Sequence, residues 1–91
     1  MNYEEFLFRL SKELKTALEP AQGPLKIEIS DIEKYAGKSY KGLMIGKSGS
    51  DLSMSLNLKA QFDQLSSGRP YVAILNEAIS MVQTSSTFLH R

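Results

Sequence analysis

The period of the apolar residues changes twice along this chain of 91 residues, and no other feature of the sequence restricts its fold as much. Near both ends of the chain, apolar residues recur every three or four positions, which is the period of one helix face. In three segments between residues 25 and 58 they recur at every second position, which is the period of a half-buried strand. The pattern therefore predicts helices on either side of a set of strands.

The first helix is predicted over residues 3–18. Asn2 can cap it, and Glu5 follows three residues later as the second member of a capping box. Pro20 should prevent continuation of the helix, because proline lacks a backbone N–H. The apolar face of this helix consists of Tyr3, Phe6, Leu7, Leu10, Leu14, Ala17 and Leu18.

Three strands should follow, over "LKIEIS", "YKGLMIG" and "LSMSLNL". The first either ends near Ser30 or contains a β-bulge around Asp31, because Ile32 follows Ile29 at a spacing of three. Gly37 marks the turn after it. A short helix is expected through "KAQFDQL", with Gly68 in the left-handed conformation at its end. The last helix is predicted near 70–86, with proline in its first turn.

These elements predict a single small α+β domain over residues 1–91, in the order α-β-β-β-α-α. Its sheet is a three-stranded antiparallel meander, with the N-terminal and C-terminal helices packed on one face. The predicted core is Leu10, Leu14, Ile27, Ile29, Leu43, Ile45, Met54, Leu56, Phe62, Ile74, Leu75 and Ile79. The opposite face carries the polar residues Lys26, Glu28, Ser30, Ser53, Ser55 and Asn57.

The segment "KGLMIGKSGSD" contains most of a phosphate-binding loop, but the spacing is wrong. A Walker loop places four residues between its first glycine and Gly-Lys-Ser, and a helix follows it. Here only Leu43, Met44 and Ile45 intervene, and an alternating strand pattern follows. The segment is predicted to be a hairpin connection, with its glycines at positive φ and Asp51 as a side-chain acceptor. We expect no nucleotide to bind here.

The sequence offers no catalytic constellation and no cofactor or metal motif. His90 is the sole histidine and lies beyond the last periodic segment, where a free chain end is expected. The chain has no cysteine, which is compatible with a reducing compartment. Its carboxylates are scattered singly rather than in metal-ligand spacings. We therefore expect a protein that is not an enzyme and uses no cofactor.

A formal net charge of +1 favours neither nucleic acid nor an anionic membrane as partner. No apolar run reaches the roughly 18 residues of a membrane helix, so we expect a cytoplasmic protein without membrane contact. A nucleic-acid site would have to use the side chains of the hairpins, which are Lys34, Lys38, Lys41, Lys47, Tyr35 and Tyr40. Lys47 belongs to the hairpin at the opposite end of the meander from the other three lysines. The lysines therefore do not form one patch, and nucleic acid is a poor prediction as partner.

The segments "MNYEEFLFRLSKELK", "LKIEISDIEK", "KGLMI", "LSMSLNL" and "QFDQLSSGRP" occur in an order that resembles the N-terminal part of an uncharacterised bacterial family of domains of unknown function, of the gut Firmicutes type. Met54 and Asn57 stand where that family tends to have proline and tyrosine. Its members are commonly longer, so the chain is an isolated domain, a piece of a longer protein or a short relative, and the residues leave these alternatives open. The resemblance implies no activity. Such genes often travel on mobile elements, which implies a small inhibitor or a nucleic-acid-associated factor as an alternative function.

The residues themselves favour a non-enzymatic protein-interaction module. The third strand has no charge or proline between Leu52 and Leu58, and such an edge is a template for pairing with another strand. We expect a homodimer, or a protein partner docked by strand addition. The candidate partner-binding residues are Leu52, Ser53, Ser55, Asn57, Lys26 and Glu28.

Overall fold

The computed structural model describes residues 1–35 and 38–85, the side chains of residues 33–35 excepted. The elements are α1 (Tyr3–Gln22), β1 (Leu25–Tyr35), β2 (Lys38–Lys47), β3 (Ser53–Leu56), α2 (Lys59–Ser66) and α3 (Tyr71–Gln83). The predicted order and the α+β class are confirmed. The predicted turn at Gly37 and the predicted free end at His90 lie outside the described residues.

Helix α1 begins at the predicted capping box and runs past its predicted end. Glu5 N–H donates to Asn2 Oδ1 at 2.8 Å, and Asn2 N–H donates to Glu5 Oε1 at 2.9 Å. Pro20 lies inside the last turn, so the predicted end at residue 18 is wrong. A proline there removes only one hydrogen bond near the helix end. The helix ends at Gln22 and is capped by Gly23, whose φ of 82° favours glycine and whose N–H donates to Glu19 O at 2.8 Å.

Strand β1 contains a bulge. Asp31 lies opposite Lys41 and Glu33 lies opposite Tyr40, so the register shifts by one residue at Ile32. The bulge alternative is thus confirmed, and the strand does not end near Ser30. The extra residue lets pairing with β2 continue to Tyr35, because it restores the facing of the residues after it.

Strand β2 is the centre of the sheet, whose order is β1-β2-β3. Both pairings are antiparallel, and Ile45 lies opposite Ile27 on one side and opposite Met54 on the other. Strand β3 is shorter than the predicted residues 52–58. Its regular pairing ends at Leu56 because the chain turns there into α2, where Lys59 N–H donates to Asn57 Oδ1 at 3.1 Å.

The core lies between the sheet and the helices. Its buried members are Phe6, Leu7, Leu10, Leu14, Leu18, Leu25, Leu43, Ile45, Leu56, Leu58, Ile74, Ala78 and Val82. The predicted core residues belong to this set or pack against it, except Ile29, which is 37% exposed because it lies on an edge strand just before the bulge. Ala17, which was assigned to the apolar face of α1, is exposed.

The helices occupy one face of the sheet, as predicted. Helix α1 lies against β1 and β2, α3 packs beside α1, and α2 contacts α1, α3 and β2. An aromatic cluster joins the three helices: the ring of Phe6 lies 5.4 Å from that of Phe62 and meets that of Tyr71 edge-on at 6.4 Å. Burial, with the Glu13 carboxylate nearby, raises the pKa of Tyr71 to about 12.

Helix α3 is offset from its prediction at both ends. Pro70 is its N-cap rather than its first residue, and Gly68 before it has the predicted positive φ, at 111°. The helix ends at Gln83 rather than near residue 86. Thr84 follows, with its hydroxyl donating to Ser80 O at 2.8 Å, and such side-chain hydrogen bonds compete with helical pairing.

Candidate functional site: the edge of strand β3

The segment that resembled a phosphate loop is the connection between β2 and β3. Residues 43–45 belong to β2, and Lys47–Ser50 form a four-residue turn closed by a hydrogen bond of 3.0 Å from Ser50 N–H to Lys47 O. Gly49 occupies the third position of the turn with φ 83°, a conformation that favours glycine. The predicted hairpin connection is therefore confirmed, and a strand rather than a helix follows it.

Two details of the predicted turn are wrong. Gly46 lies in β2 and has no positive φ, because the reversal begins one residue later. The side-chain acceptor is Ser50 rather than Asp51, since Ser50 Oγ accepts the N–H of Leu52 at 3.1 Å. Ser48 N–H also donates to Pro24 O at 3.1 Å, which ties the turn to the start of β1.

Strand β3 is an edge of the sheet. It pairs with β2 along one side, and no strand within residues 1–35 and 38–85 pairs with its other side. Its residues, Ser53 to Leu56, carry no charge. Backbone N–H and C=O groups on an open edge can pair with another strand. The predicted meander, in which β2 is the middle strand and β3 an edge, is thus confirmed.

The outer face of the sheet has a shallow depression beside the start of β3. Its volume is about 190 Å³, and its lining residues are Lys26, Glu28, Met44, Gly46, Lys47, Ser50, Asp51, Leu52 and Ser53. Leu52 is 64% exposed, the largest exposure among the large apolar residues described. Lys26 Nζ lies 3.7 Å from Glu28 Oε2, with both side chains more than half exposed, so this pair contributes little to stability.

Two further predicted partner-binding residues lie beyond this depression. Ser55 is the third residue of β3, and Asn57 follows the end of the strand. Ser55 is exposed and lies opposite Met44 in the sheet register, which places it on the outer face. Asn57 is exposed too, but its side chain helps to start α2 through the bond to Lys59 N–H. Of these two predicted partner-binding residues, Ser55 is thus the one positioned beside the open edge without such a structural role.

The inner side of the β3 edge is apolar. Met54 is half-buried and packs against the core, and Leu56 is buried two positions later. An incoming strand would therefore meet an apolar side chain below the sheet and serines above it. This alternation is the pattern that an added strand has to match.

The lysines proposed for nucleic acid do not form a concentrated patch among the described side chains. Lys41 Nζ lies 3.5 Å from Asp31 Oδ1, which offsets its charge. Lys47 lies in the β2–β3 turn, at the opposite end of β2 from Lys38. The side chains of Lys34 and Tyr35 lie outside the described part of the chain.

A second polar cluster lies where α2 meets α3. Glu77 accepts a hydrogen bond from Gln61 Nε2 at 3.0 Å and another from Arg69, which also bonds to Gln64 Oε1. These hydrogen bonds from Gln61 and Arg69 hold the pKa of Glu77 below its usual value. An open depression of about 340 Å³ beside it is lined by Asp63, Gln64, Ser67 and Arg69. The cluster joins the two helices.

Comparison of the sequence with known protein families finds a match. The pattern of a family of unknown function, DUF5688, matches residues 3–90. The chain belongs to the DUF5688 family. No curated protein and no solved structure matches it. The expected resemblance to a domain of unknown function is thereby confirmed, and DUF5688 membership brings no activity with it.

In this DUF5688 chain, the structure brings together four of the predicted partner-binding residues. Lys26, Glu28, Leu52 and Ser53 share one depression. Sequence reasoning missed Met44, which stands on the outer face between neighbours on β1 and β3. The available signal was its alternation with Leu43 and Ile45, the core residues on either side of it.

The described part of this DUF5688 chain shows two further features. Within residues 1–35 and 38–85, no three His, Cys, Asp or Glu side chains are arranged to hold a metal ion. Nor does any helix in these ranges have the length and apolar character needed to cross a membrane.

Proposed function

We propose that this DUF5688 domain is a non-enzymatic protein-binding module whose β3 edge receives an extended segment of a partner by strand addition. The observation that carries the proposal is an uncharged edge strand paired on one side only. Main-chain hydrogen bonds would supply much of the affinity, and the alternating side chains would supply the specificity. The proposal assigns no catalytic step and no cofactor to the domain.

The contrast between the two edges of the sheet supports the choice of β3. Edge β1 carries Lys26, Glu28 and Asp31, and it is bulged at Ile32. Charges and bulges are the usual means by which proteins prevent edge pairing. Edge β3 has neither in residues 53–56.

The surroundings of β3 support a specific partner rather than indiscriminate pairing. The depression beside Leu52 can receive one side chain of the incoming segment on the outer face. On the inner face, Met54 offers an apolar neighbour to alternate residues of that segment. We therefore expect the preferred segment to alternate apolar and small polar residues.

The test uses a phage-displayed library of peptides of about six residues, the length of a typical strand. Peptides selected on the wild-type domain should alternate apolar and polar residues, and their binding should shift the amide NMR signals of residues 53–56. Ser55→Lys should weaken binding by about tenfold or more, which corresponds to a loss of at least about 1.4 kcal/mol of binding free energy. Ser80→Lys, on an exposed position of α3, is the matched control.

Selected peptides that shift the signals of α1 or α3 instead of β3 would contradict the proposal. So would peptides that bind the wild-type protein and Ser55→Lys equally well. A library that yields no binder at all would also count against an open edge built for strand addition.

A further inference from the structure

The residues that flank β3 carry opposite charges. Asp51 precedes the strand and is exposed, and Lys59 follows it at the first position of α2. An antiparallel partner with the same sequence would bring its Lys59 to the end of the seam between the two β3 strands at which Asp51 lies. A parallel copy would place like charges together. The charge pattern is thus complementary to itself in the antiparallel direction alone.

We propose that the occupant of the β3 edge is a second copy of this chain, paired antiparallel about a twofold axis at Ser55. This proposal rests on the proposed function, because it names the partner of the same edge. The two three-stranded sheets then form one continuous six-stranded antiparallel sheet, with β3 and its copy at the centre.

Symmetry restricts this arrangement further. A twofold axis that relates two neighbouring antiparallel strands must be perpendicular to the sheet, so both helix layers lie on the same side. Residues directly opposite each other then share a face. With the axis at Ser55, this serine lies opposite its own copy on the outer face, and Met54 lies opposite Leu56 of the other copy on the inner face. Asp51 of one copy and Lys59 of the other then flank the same end of the paired strands.

The size of the seam determines the strength of the dimer. Strand β3 has four residues, and stable interfaces bury far more surface than a pair of such strands. The dimer should therefore form reversibly and depend on protein concentration. Lys59 Nζ lies 3.1 Å from Asp63 Oδ1 within its own chain, in an exposed pair that is weak enough for the lysine to be shared.

Sedimentation equilibrium over about a hundredfold range of concentration tests the dimer by mass action. The weight-average mass should rise from that of one chain towards that of two. Asp51→Lys should reduce association, and the combination of Asp51→Lys with Lys59→Asp should restore it, because the charges are then exchanged. A merely structural effect of either substitution would not be reversed in this way.

Cross-linking tests the position of the axis, and the absence of cysteine from the chain makes it specific. Residues opposite each other in antiparallel strands have Cα atoms about 4.5–5.5 Å apart, within the range of a disulfide. Ser55→Cys should therefore form a disulfide-linked dimer with oxidised glutathione about tenfold faster than Ser80→Cys, because pairing raises the effective thiol concentration.

The outcomes separate the two proposals. A wild-type chain that stays monomeric at every concentration, while displayed peptides still bind at β3, would overturn the second copy as occupant and leave strand addition standing. Equal cross-linking rates for the two cysteine variants would also overturn it. Loss of both self-association and peptide binding at β3 would overturn the proposed function as well.

Discussion

Gly42 lies in the sheet where there is no room for a side chain. It is buried in β2 opposite Ser30, and its missing side chain leaves room for Ile32, the extra residue of the β1 bulge. A Cβ atom there would overlap the Leu56 carbonyl oxygen as well as the Ile32 side chain. The side chain of Ile32 can rotate, but the backbone oxygen is held by the end of β3. The glycine is therefore required by the local packing, not by an unusual φ.

Gly42→Ala should consequently destabilise the protein by about 1–3 kcal/mol, the usual cost of overpacking. Urea denaturation followed by circular dichroism measures the difference. Gly46→Ala is the matched control in the same strand, because its Cβ would lie 3.1 Å from Leu52 O and requires only a small adjustment. Equal stability of the two variants would show that the sheet is not closely packed at Gly42.

At the scale of elements, the short helix α2 depends on polar contacts as well as on apolar packing. Within α2 no residue is fully buried, although Phe62 and Leu65 pack against the core. The hydrogen bonds that Glu77 accepts from Gln61 and Arg69 compensate for this lack of buried residues, because they join α2 and the loop after it to α3. Charged hydrogen bonds of this kind are stronger than neutral ones. Protonation of Glu77 should therefore weaken the contact between the two helices.

The pKa of Glu77 is lowered in the folded protein relative to 4.5, so its contribution to stability is present above pH 4.5 and is lost as the pH falls through the folded value. Glu77→Gln should be less stable than wild type at neutral pH, and its stability should fall less steeply with acid. Thermal denaturation at a series of pH values tests this. Parallel stability curves for the two proteins would rule out the predicted role of Glu77.

At the scale of the whole molecule, one apolar layer joins the sheet to the three helices. Leu14 is completely buried in the middle of α1, the helix that contacts both the sheet and the other two helices. Removing its side chain opens a cavity shared by these elements. Val72, by contrast, lies on α3 with 61% of its surface exposed.

Leu14→Ala should therefore cost about 2–5 kcal/mol of unfolding free energy. Ile27→Ala should also destabilise the protein, but less, because Ile27 is half-buried on an edge strand. Val72→Ala should change stability by less than about 0.5 kcal/mol, as expected at an exposed site. A melting temperature unchanged by Leu14→Ala would contradict the packing described for α1.

Local patterns determined the elements of this protein. The capping box at Asn2, the alternation in the three strands and the positive φ of Gly68 depend on residues close together in the chain, so they could be predicted from it. The hairpin at Gly49 was predictable for the same reason. The candidate edge also followed from a local property, the uncharged run from Leu52 to Leu58.

Contacts that the spacing of apolar residues does not specify decided the rest. Whether α1 passes Pro20 depends on Gly23 and on the contact in which Leu25 N–H donates to Glu19 Oε2 at 2.9 Å, which joins the helix end to β1. The exposure of Ile29 depends on what covers an edge strand, and the close approach at Gly42 depends on three strands meeting. The depression at the β3 edge likewise requires residues from each strand, which only the folded sheet places side by side. Sequence spacing specifies which face a residue occupies, but only tertiary contacts determine what that face meets.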